Sequence, residues 1–183
     1  MKELWKNIPD WQYQISNLGS IRTNRPLIYA RGKCVKDLGW RTLKTNKDKN
    51  GYFGITLNSA RGIKHKKRFY IHRLIWEAFV GEIPKGYEID HINRDRSDSS
   101  LSNLRLATKK ENKRNLTPRK NTITGYRGVQ KVKTGSYRAY INTNGKRTHL
   151  GYFNNSKEAA VAFNEAALKL HGTFAVINKI NTP

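Results

Sequence analysis

The sequence has few of the features that mark secreted or membrane proteins. Its 183 residues include one cysteine, one methionine and five prolines. The single cysteine, Cys34, permits neither an internal disulfide nor a cysteine-rich zinc knuckle, so packing must hold the fold and any metal is expected on oxygen or histidine ligands. No apolar run approaches the ~20 residues of a membrane span, and the first residues lack the apolar segment of a signal peptide. We therefore expect a cytoplasmic protein with no membrane partner.

Acidic residues are also scarce, because 13 Asp and Glu face 36 Lys and Arg and the formal net charge is +23. The charge is 11 − 4 = +7 in residues 1–60, 16 − 7 = +9 in residues 61–123 and 9 − 2 = +7 in residues 124–183. This distribution excludes a basic tail on a neutral domain and favours a surface that follows a long polyanion. Nucleic acid is the expected partner, and no small-molecule organic cofactor is expected.

Turn residues and apolar periodicity divide the first two thirds of the chain into two modules. In residues 1–60, short alternating runs are broken by Gly and Asn, which predicts a small antiparallel sheet. In residues 61–115, a strand precedes a helix over His72–Phe79 whose apolar residues share one side. The following stretch, Asp90–Asn103, is too polar to be core, and a capping-box spacing at Thr108 opens a short helix.

The last third of the chain is predicted to be a separate module. Residues 116–124 have no apolar period and read as a basic linker, and residues 125–183 form the module itself. It contains three predicted strands, Gly125–Val132, Tyr137–Thr143 and Lys146–Phe153, with an Asn-Gly hairpin turn between the last two. Asn155 or Ser156 caps a helix that runs to His171. The small apolar residues of that helix predict close packing against the sheet.

The residues with the clearest chemistry lie in the central module. Asp90 provides a carboxylate, His91 an adjacent imidazole, and Asn112 an amide at a helix start 22 positions after the carboxylate. A hard cation such as Mg²⁺ takes a few protein oxygen ligands and completes its shell with water and phosphate. A histidine that titrates near neutral pH can take a proton from water. In a strongly basic protein, this set predicts metal-assisted hydrolysis of a phosphodiester.

These residues resemble the HNH endonuclease family, whose ββα-metal motif is two strands and a helix around one divalent cation. The resemblance rests on Asp90-His91, Asn103-Leu104-Arg105 and Asn112, with Ile71-His72-Arg73-Leu74 ahead of them, and it covers about residues 68–115. The likeness is strongest to HNH homing endonucleases of phage introns, where the last motif position is Asn. It implies Asp90 and Asn112 as ligands of one Mg²⁺ or Mn²⁺ ion, His91 as the general base, and Asn103 as the residue that steadies the loop holding His91.

The C-terminal module resembles a second family, the Apetala-type (ethylene-response-factor) DNA-binding domain of plants and of many phage HNH nucleases. The resemblance rests on Gly125-Tyr-Arg-Gly128-Val129, Gly135-Ser-Tyr-Arg-Ala139-Tyr-Ile141, His149-Leu-Gly-Tyr-Phe153 and Glu158-Ala-Ala-Val-Ala-Phe-Asn164-Glu-Ala-Ala167. In that family the sheet enters the DNA major groove and the helix supports it. The N-terminal motifs Trp5-Lys-Asn-Ile8 and Tyr13-Gln-Ile-Ser-Asn-Leu-Gly19 resemble the NUMOD modules that accompany homing nucleases.

Strand alternation predicts which side chains of the C-terminal sheet face DNA. Ala139 and Ile141 face the helix, and the outward residues are Arg138, Tyr140, Asn142, Arg147 and His149. Further candidates on the first strand, with their direction left open, are Arg127, Gln130 and Lys131. In the central module, the basic run Lys66, Lys67 and Arg68 is predicted to contact phosphates.

The predicted class is α+β, with a small antiparallel N-terminal sheet, a ββα-metal HNH core and a C-terminal three-stranded sheet packed on one helix. The predicted function is site-specific cleavage of double-stranded DNA by a homing-type HNH endonuclease in a bacterial or phage-infected cell. A monomer that nicks one strand is expected, with a dimer that cuts both strands as the alternative. Two rivals remain, a non-catalytic DNA-binding regulator and a basic RNA-binding structural protein.

Overall fold

The computed structural model describes residues 2–9, 11–25, 27–28, 34–36, 39–58, 66–115 and 123–180. The chain divides into two compact units, Met1–Lys109 and Lys110–Pro183. Of the predicted linker, residues 116–122 lie outside the described residues. None of the helices in the described ranges has the length and apolar character to cross a membrane.

The first unit is built from short antiparallel strands around one helix. Its strands are β1 (Trp5–Asn7), β2 (Gln14–Ser16), β3 (Ile21–Thr23), β4 (Leu27–Ile28), β5 (Cys34–Lys36), β6 (Arg41–Leu43), β7 (Asn46–Lys47), β8 (Phe53–Asn58), β9 (Lys66–Tyr70), β10 (Tyr87–His91) and β11 (Leu104–Thr108). They form a four-stranded sheet in the order β1-β2-β3-β6, a three-stranded sheet in the order β7-β8-β9, and the hairpins β4-β5 and β10-β11. The predicted N-terminal antiparallel sheet is therefore confirmed.

The helix α1 (Ile71–Phe79) supplies the centre of the first core. It begins directly after β9 and buries Ile71, Leu74 and Ile75, the helical spacing expected for one apolar face. Against this face pack the branched side chains of the strands, namely Ile15, Ile21, Ile55 and Leu57. The same core includes Ile89 and Leu104, so the β10-β11 hairpin is anchored next to α1.

The second unit is a three-stranded antiparallel sheet covered by one helix, preceded by the short helix α2 (Lys109–Arg114). Its remaining elements are β12 (Val129–Lys131), β13 (Tyr137–Thr143), β14 (Lys146–Phe153) and α3 (Ser156–His171). Of the two predicted caps for α3, Asn155 is the one used, since its side chain accepts a hydrogen bond from the Glu158 amide at 2.8 Å. The predicted α+β class, with this sheet packed on one helix, is confirmed.

The first strand of the second unit is shorter than the sequence predicts. Gly125 and Gly128 both have a φ of +71°, so the chain turns there, and the strand begins only at Val129. Gly128 also lies very close to the helix: a Cβ atom added to it would come within 2.2 Å of the Phe163 ring and 2.5 Å of the Tyr140 carbonyl oxygen. A glycine at this position is therefore required both by the backbone and by the packing of α3.

We expect Gly128→Ala to destabilise the second unit far more than Gly125→Ala. The two glycines share the same φ, but a Cβ at Gly125 meets nothing within 4 Å. The control should therefore cost only the left-handed backbone, about 1–2 kcal/mol, and Gly128→Ala should add about 1–3 kcal/mol of overpacking. Thermal unfolding of both variants followed by circular dichroism measures the difference, and equal losses would show that Phe163 does not restrict this position.

Candidate active site

The predicted acid and base lie at the end of β10, where both are buried. Asp90 is 5% exposed and His91 is 4% exposed. In the β10-β11 hairpin, Asp90 pairs with Arg105 and His91 pairs with Leu104. Because neighbouring residues of a strand point to opposite faces, the Asp90 carboxylate and the His91 imidazole lie on opposite faces of the hairpin.

Asp90 is held by the residue that faces it across the hairpin. The Nε atom of Arg105 donates to Oδ2 of Asp90 at 2.9 Å, and a terminal guanidinium nitrogen lies 2.8 Å from the same oxygen. A buried carboxylate is costly without a compensating partner, so this ion pair stabilises the charged acid inside the fold. Arg105 was not among the residues predicted to act at the site, although it belongs to the motif.

Asn103 fastens the two ends of the loop that follows His91. Its side-chain Oδ1 accepts from the Asn93 amide at 2.9 Å, and its Nδ2 donates to the Asn93 side chain at 3.0 Å and to the Asp98 carbonyl at 2.8 Å. Its backbone carbonyl accepts from the Ile92 amide at 2.8 Å. Asn103 and Ser99 are buried, so the prediction that the whole stretch lies outside the core is wrong. Its polar groups can be buried because they bond to one another.

The His91 ring lies among aromatic rings from two other elements. Its centroid is 5.2 Å from that of His72 at the start of α1 and 5.7 Å from that of Tyr52 before β8. The Tyr70 ring stacks on His72, with 5.7 Å between the ring centroids. His72 is buried, and its Nδ1 has no hydrogen-bond partner among the described residues. The sequence left the role of His72 open and indicated no role for Tyr52.

Burial keeps both imidazoles in the neutral form at neutral pH. It lowers the pKa of His91 below its usual value of 6.5, against the opposing effect of the Asp90 charge. It lowers the pKa of His72 to about 3, and the charges of His91 and Arg73 contribute in the same direction. A neutral imidazole has one nitrogen able to accept a proton, which is the state that a general base requires.

The segment of the chain that contains this site matches a known protein family. A family model described as HNH endonuclease matches residues 69–114, which include the Asp90-His91 pair, the Asn103 loop and α2. The chain belongs to the HNH endonuclease family. A second model, described as the NUMOD4 motif, matches residues 3–58, so the N-terminal module is also recognised.

Proteins similar to this chain include several from viruses. The chain is 33% identical over 115 residues to an uncharacterised HNH endonuclease of Acanthamoeba polyphaga mimivirus, matching 62% of this chain and 59% of that protein. It is 38% identical over 117 residues to protein 3.8 of Escherichia phage T7, matching 61% of this chain and 96% of that protein. A solved structure of the HNH homing endonuclease I-HmuI, from Bacillus phage SP01, is 25% identical with a TM-score of 0.48, covering 92% of this chain and 91% of that one.

The other predicted residues of the HNH segment are placed by their elements. Asn112 lies on α2, in the second unit, and its predicted role as a metal ligand stays a prediction. Lys66, Lys67 and Arg68 are exposed on β9, at one edge of the β7-β8-β9 sheet. Among the described residues there is no group of three or more His, Cys, Asp and Glu side chains placed to hold a metal ion.

Beyond the HNH segment, most of the predicted DNA-contacting residues lie on the face of the β12-β13-β14 sheet that is opposite α3. The register pairs Gln130 with Arg138, Tyr140 with His149, and Asn142 with Arg147, as expected for one row of outward side chains. Neighbours in this row contact each other: a terminal nitrogen of Arg138 donates to Gln130 at 2.8 Å, and the Arg147 guanidinium lies 4.4 Å from the Tyr140 ring centroid.

The structure also gives the placement of two candidates whose direction the sequence left open, and of one residue that the sequence did not single out. Lys131 pairs with Tyr137, which alternation places on the helix side, so Lys131 is not in the outward row. Arg127 precedes β12 and donates to the Arg114 carbonyl oxygen at 3.1 Å. Tyr152, which was not predicted, is exposed in the outward row opposite Arg138 and lies 4.8 Å from the His149 ring centroid. A register shift after Ala139 brings it there, and alternation alone does not reveal such a bulge.

The N-terminal sheet of this HNH protein carries a further polar row that the sequence did not reveal. Asn7, Gln14 and Arg22 are register partners on neighbouring strands. Gln14 donates to Asn7 at 2.9 Å and accepts from Arg22 at 2.8 Å. The Arg22 guanidinium lies 4.0 Å from the Trp5 ring centroid and 4.7 Å from that of Trp40. Trp40, whose ring lies over this arginine, is half exposed.

We expect the first unit to lose stability in acid largely through His72. In the unfolded chain this histidine binds a proton below pH ~6.5, whereas in the fold it stays neutral down to about pH 3. Between these values the unfolded state binds more protons, so lowering the pH favours unfolding by up to about 1.4 kcal/mol per pH unit. The variant His72→Phe should show a shallower decline from pH 6 to pH 4.

Tryptophan fluorescence measures this transition in denaturant, because Trp5, Trp11, Trp40 and Trp76 all lie in the first unit. The same replacement at His149, an exposed position on β14, is the control and should follow the wild-type pH curve. An unchanged acid slope in His72→Phe would contradict the assignment of the effect to this side chain.

Proposed function

We propose that this chain is a metal-dependent, homing-type DNA endonuclease in which His91 is the general base. The observation that carries the proposal is the buried Asp90-His91 pair at the end of β10, inside the segment that matches the HNH family. The net charge of +23 supports a polyanionic substrate. The substrate is duplex DNA, and hydrolysis leaves 5′-phosphate and 3′-hydroxyl ends.

The residues at this site fit a hard divalent cation that takes few ligands from the protein. Asp90 supplies a carboxylate, and the resemblance to HNH endonucleases implies the Asn112 amide oxygen as the second ligand, which is also a hard donor suited to Mg²⁺ or Mn²⁺. When bound, the cation supplies charge neutralisation for the oxygen that leaves phosphorus. Arg105 pairs with Asp90 across the hairpin and orients its carboxylate.

The side chains around His91 position it for proton transfer. A neutral His91 takes a proton from the attacking water while the water oxygen bonds to phosphorus and the bond to the 3′ oxygen breaks. The rings of Tyr52 and His72 restrict the imidazole from two directions. Asn103 ties down the loop directly after the base, so that His91 keeps one position. Such restraint is needed because proton transfer depends on hydrogen-bond reach between base and water.

Selection of the cleavage site is assigned to the outer face of β12, β13 and β14. Phosphate contacts position a protein but carry no sequence information, so another surface must read the bases. The row contains Arg138, whose guanidinium can donate two hydrogen bonds to guanine, and Asn142, whose amide can pair with adenine. A three-stranded sheet with these residues on the face opposite α3 is suited to entering the major groove as an Apetala-type sheet does.

A second candidate function is a non-catalytic, sequence-specific DNA-binding regulator. The observation that favours it is the Asp90-Arg105 ion pair, because both guanidinium contacts engage Oδ2 and compete with a cation for that oxygen. In this case the HNH segment would be a scaffold and the C-terminal sheet would carry the function. DNA binding without cleavage in Mg²⁺ or Mn²⁺ would identify the regulator.

We expect His91→Ala, Asp90→Asn and Asn112→Ala each to lower cleavage of supercoiled plasmid by about 100-fold or more, the usual contribution of a general base. Chelation of the metal with EDTA should abolish cleavage by the wild type. The control is Asp95→Asn, a carboxylate exposed in the same loop, which should cut at the wild-type rate. Equal cleavage rates for the wild type and His91→Ala would contradict the assignment of His91 as the general base.

We expect Arg138→Gln to weaken the choice of site more than the rate of cutting. Loss of a bidentate contact to one base should reduce discrimination at one position by about 1–3 kcal/mol, or roughly 5- to 150-fold. Deep sequencing of DNA ends after cleavage of a phage or host genome measures the preference at each position. Lys133→Gln, an exposed change in the turn before β13, is the control and should leave the cleavage pattern intact.

A further inference from the structure

The second unit contains a cavity beside β13, at the point where β12 ends. β12 pairs only with Tyr137–Ala139, so the later residues of β13 extend past it. An inner chamber of about 190 Å³ lies there and reaches the packed face of α3. A more open chamber of about 510 Å³ continues toward α2 and the β13-β14 turn. Both chambers are lined by Arg114, Arg127 and Asn142.

The lining of this cavity is strongly cationic. Lys110, Lys113, Arg114 and Arg127 all contribute to the outer chamber, and the described residues that line it include no carboxylate. Like charges in a partly enclosed space repel one another more strongly than on an open surface. An anion within the chamber would relieve this repulsion, so the charge of the lining selects for a negatively charged ligand.

Arg127 is held in place before any ligand arrives. Its backbone is bonded on both sides by Asn178, whose Oδ1 accepts from the Arg127 amide at 2.7 Å and whose Nδ2 donates to the Arg127 carbonyl at 3.1 Å. Asn178 is buried and is itself bonded to Asn164 through two hydrogen bonds. The Arg127 guanidinium then donates to the Arg114 backbone carbonyl at the end of α2, which ties the Arg127 side chain to that helix. An arginine side chain that is already held loses little entropy on binding.

The inner chamber offers a further polar group. The Nδ1 atom of His171 has no hydrogen-bond partner among the described residues. Burial lowers the pKa of this imidazole, and the charges of Arg114 and Arg127 act in the same direction. A neutral imidazole that shares a chamber with two guanidinium groups adds a hydrogen-bonding site without adding charge.

We propose that this cavity binds one phosphate of the DNA backbone as an anchor that does not depend on base sequence. The inference rests on the proposed function for the identity of the polyanion. It gives Arg127 a role separate from the outward row. Arg127 was a candidate DNA-contacting residue with its direction left open, and its guanidinium donates to the Arg114 carbonyl of α2 beside the cavity. Arginine and lysine side chains around a fixed position match a phosphodiester oxygen pair. Affinity and base reading are thereby divided between two surfaces of one unit.

The test is the salt dependence of DNA binding by the full chain carrying His91→Ala, which prevents cleavage. The probe is a mixed-sequence DNA duplex, with binding followed by fluorescence anisotropy over a series of NaCl concentrations. Loss of one phosphate contact lowers the slope of log affinity against log salt by ~0.9, which is about an eightfold loss of affinity at ~0.1 M salt. We expect this change for Arg114→Gln/Arg127→Gln.

The matched control is Lys157→Gln/Lys169→Gln, which removes the same charge from exposed positions on α3. It should keep the wild-type slope, and equal losses in the two double variants would overturn the anchor. Because Arg127 also bonds to α2, a second variant, Lys110→Gln/Lys113→Gln, changes only exposed side chains. It should lower the slope as well, and a wild-type slope in this variant would likewise count against the cavity.

Two further outcomes separate this inference from the proposed function. If the parent protein fails to bind duplex DNA, the proposed function fails and the anchor fails with it. If the parent binds and the cavity variants retain its slope, only the anchor is wrong.

Discussion

The candidate site depends on a buried carboxylate whose charge is balanced from the neighbouring strand. Arg105 faces Asp90 in the β10-β11 register and donates to Oδ2 through two nitrogen atoms. An uncompensated charge at this depth would cost about 3–5 kcal/mol. The same register points His91 away from Asp90 and toward the rings of Tyr52 and His72. One strand pairing therefore determines the positions of both the acid and the base.

The polar loop between these strands is rigid because its own groups satisfy one another. Asn103 bonds to Asn93 twice and to the Asp98 carbonyl, and Asp98 in turn accepts from Asn93 and Ser100. Networks of this kind fix a single arrangement, since breaking one bond leaves a buried polar group unsatisfied. The loop thus holds the chain directly after His91 without an apolar core of its own. This explains how a stretch so rich in Asp, Ser and Asn can support a precise site.

The parts of the structure that were predictable from sequence are those fixed by local periodicity. Alternation placed Ala139 and Ile141 against α3, and the Asn155 cap follows from one hydrogen bond three residues away. The rings around His91 were not predictable, because Tyr52 and His72 reach it from separate elements and no spacing links them. Burial of the Asn103 loop was missed for a different reason, since composition reports the polarity of groups and not whether they pair with each other.

Net charge predicts the partner of this protein but not the role of each arginine, which depends on what holds its guanidinium. Arg105 is neutralised by Asp90 and serves the site, whereas Arg22 is covered by two tryptophan rings. Arg138 donates a hydrogen bond to Gln130 in the outward row of the C-terminal sheet, and Arg127 donates one to the Arg114 carbonyl of α2 beside a cavity. Phosphate contacts carry no base information, so the proposed function assigns selectivity to an outward arginine such as Arg138. Affinity and sequence choice would then use the same type of side chain in different surroundings.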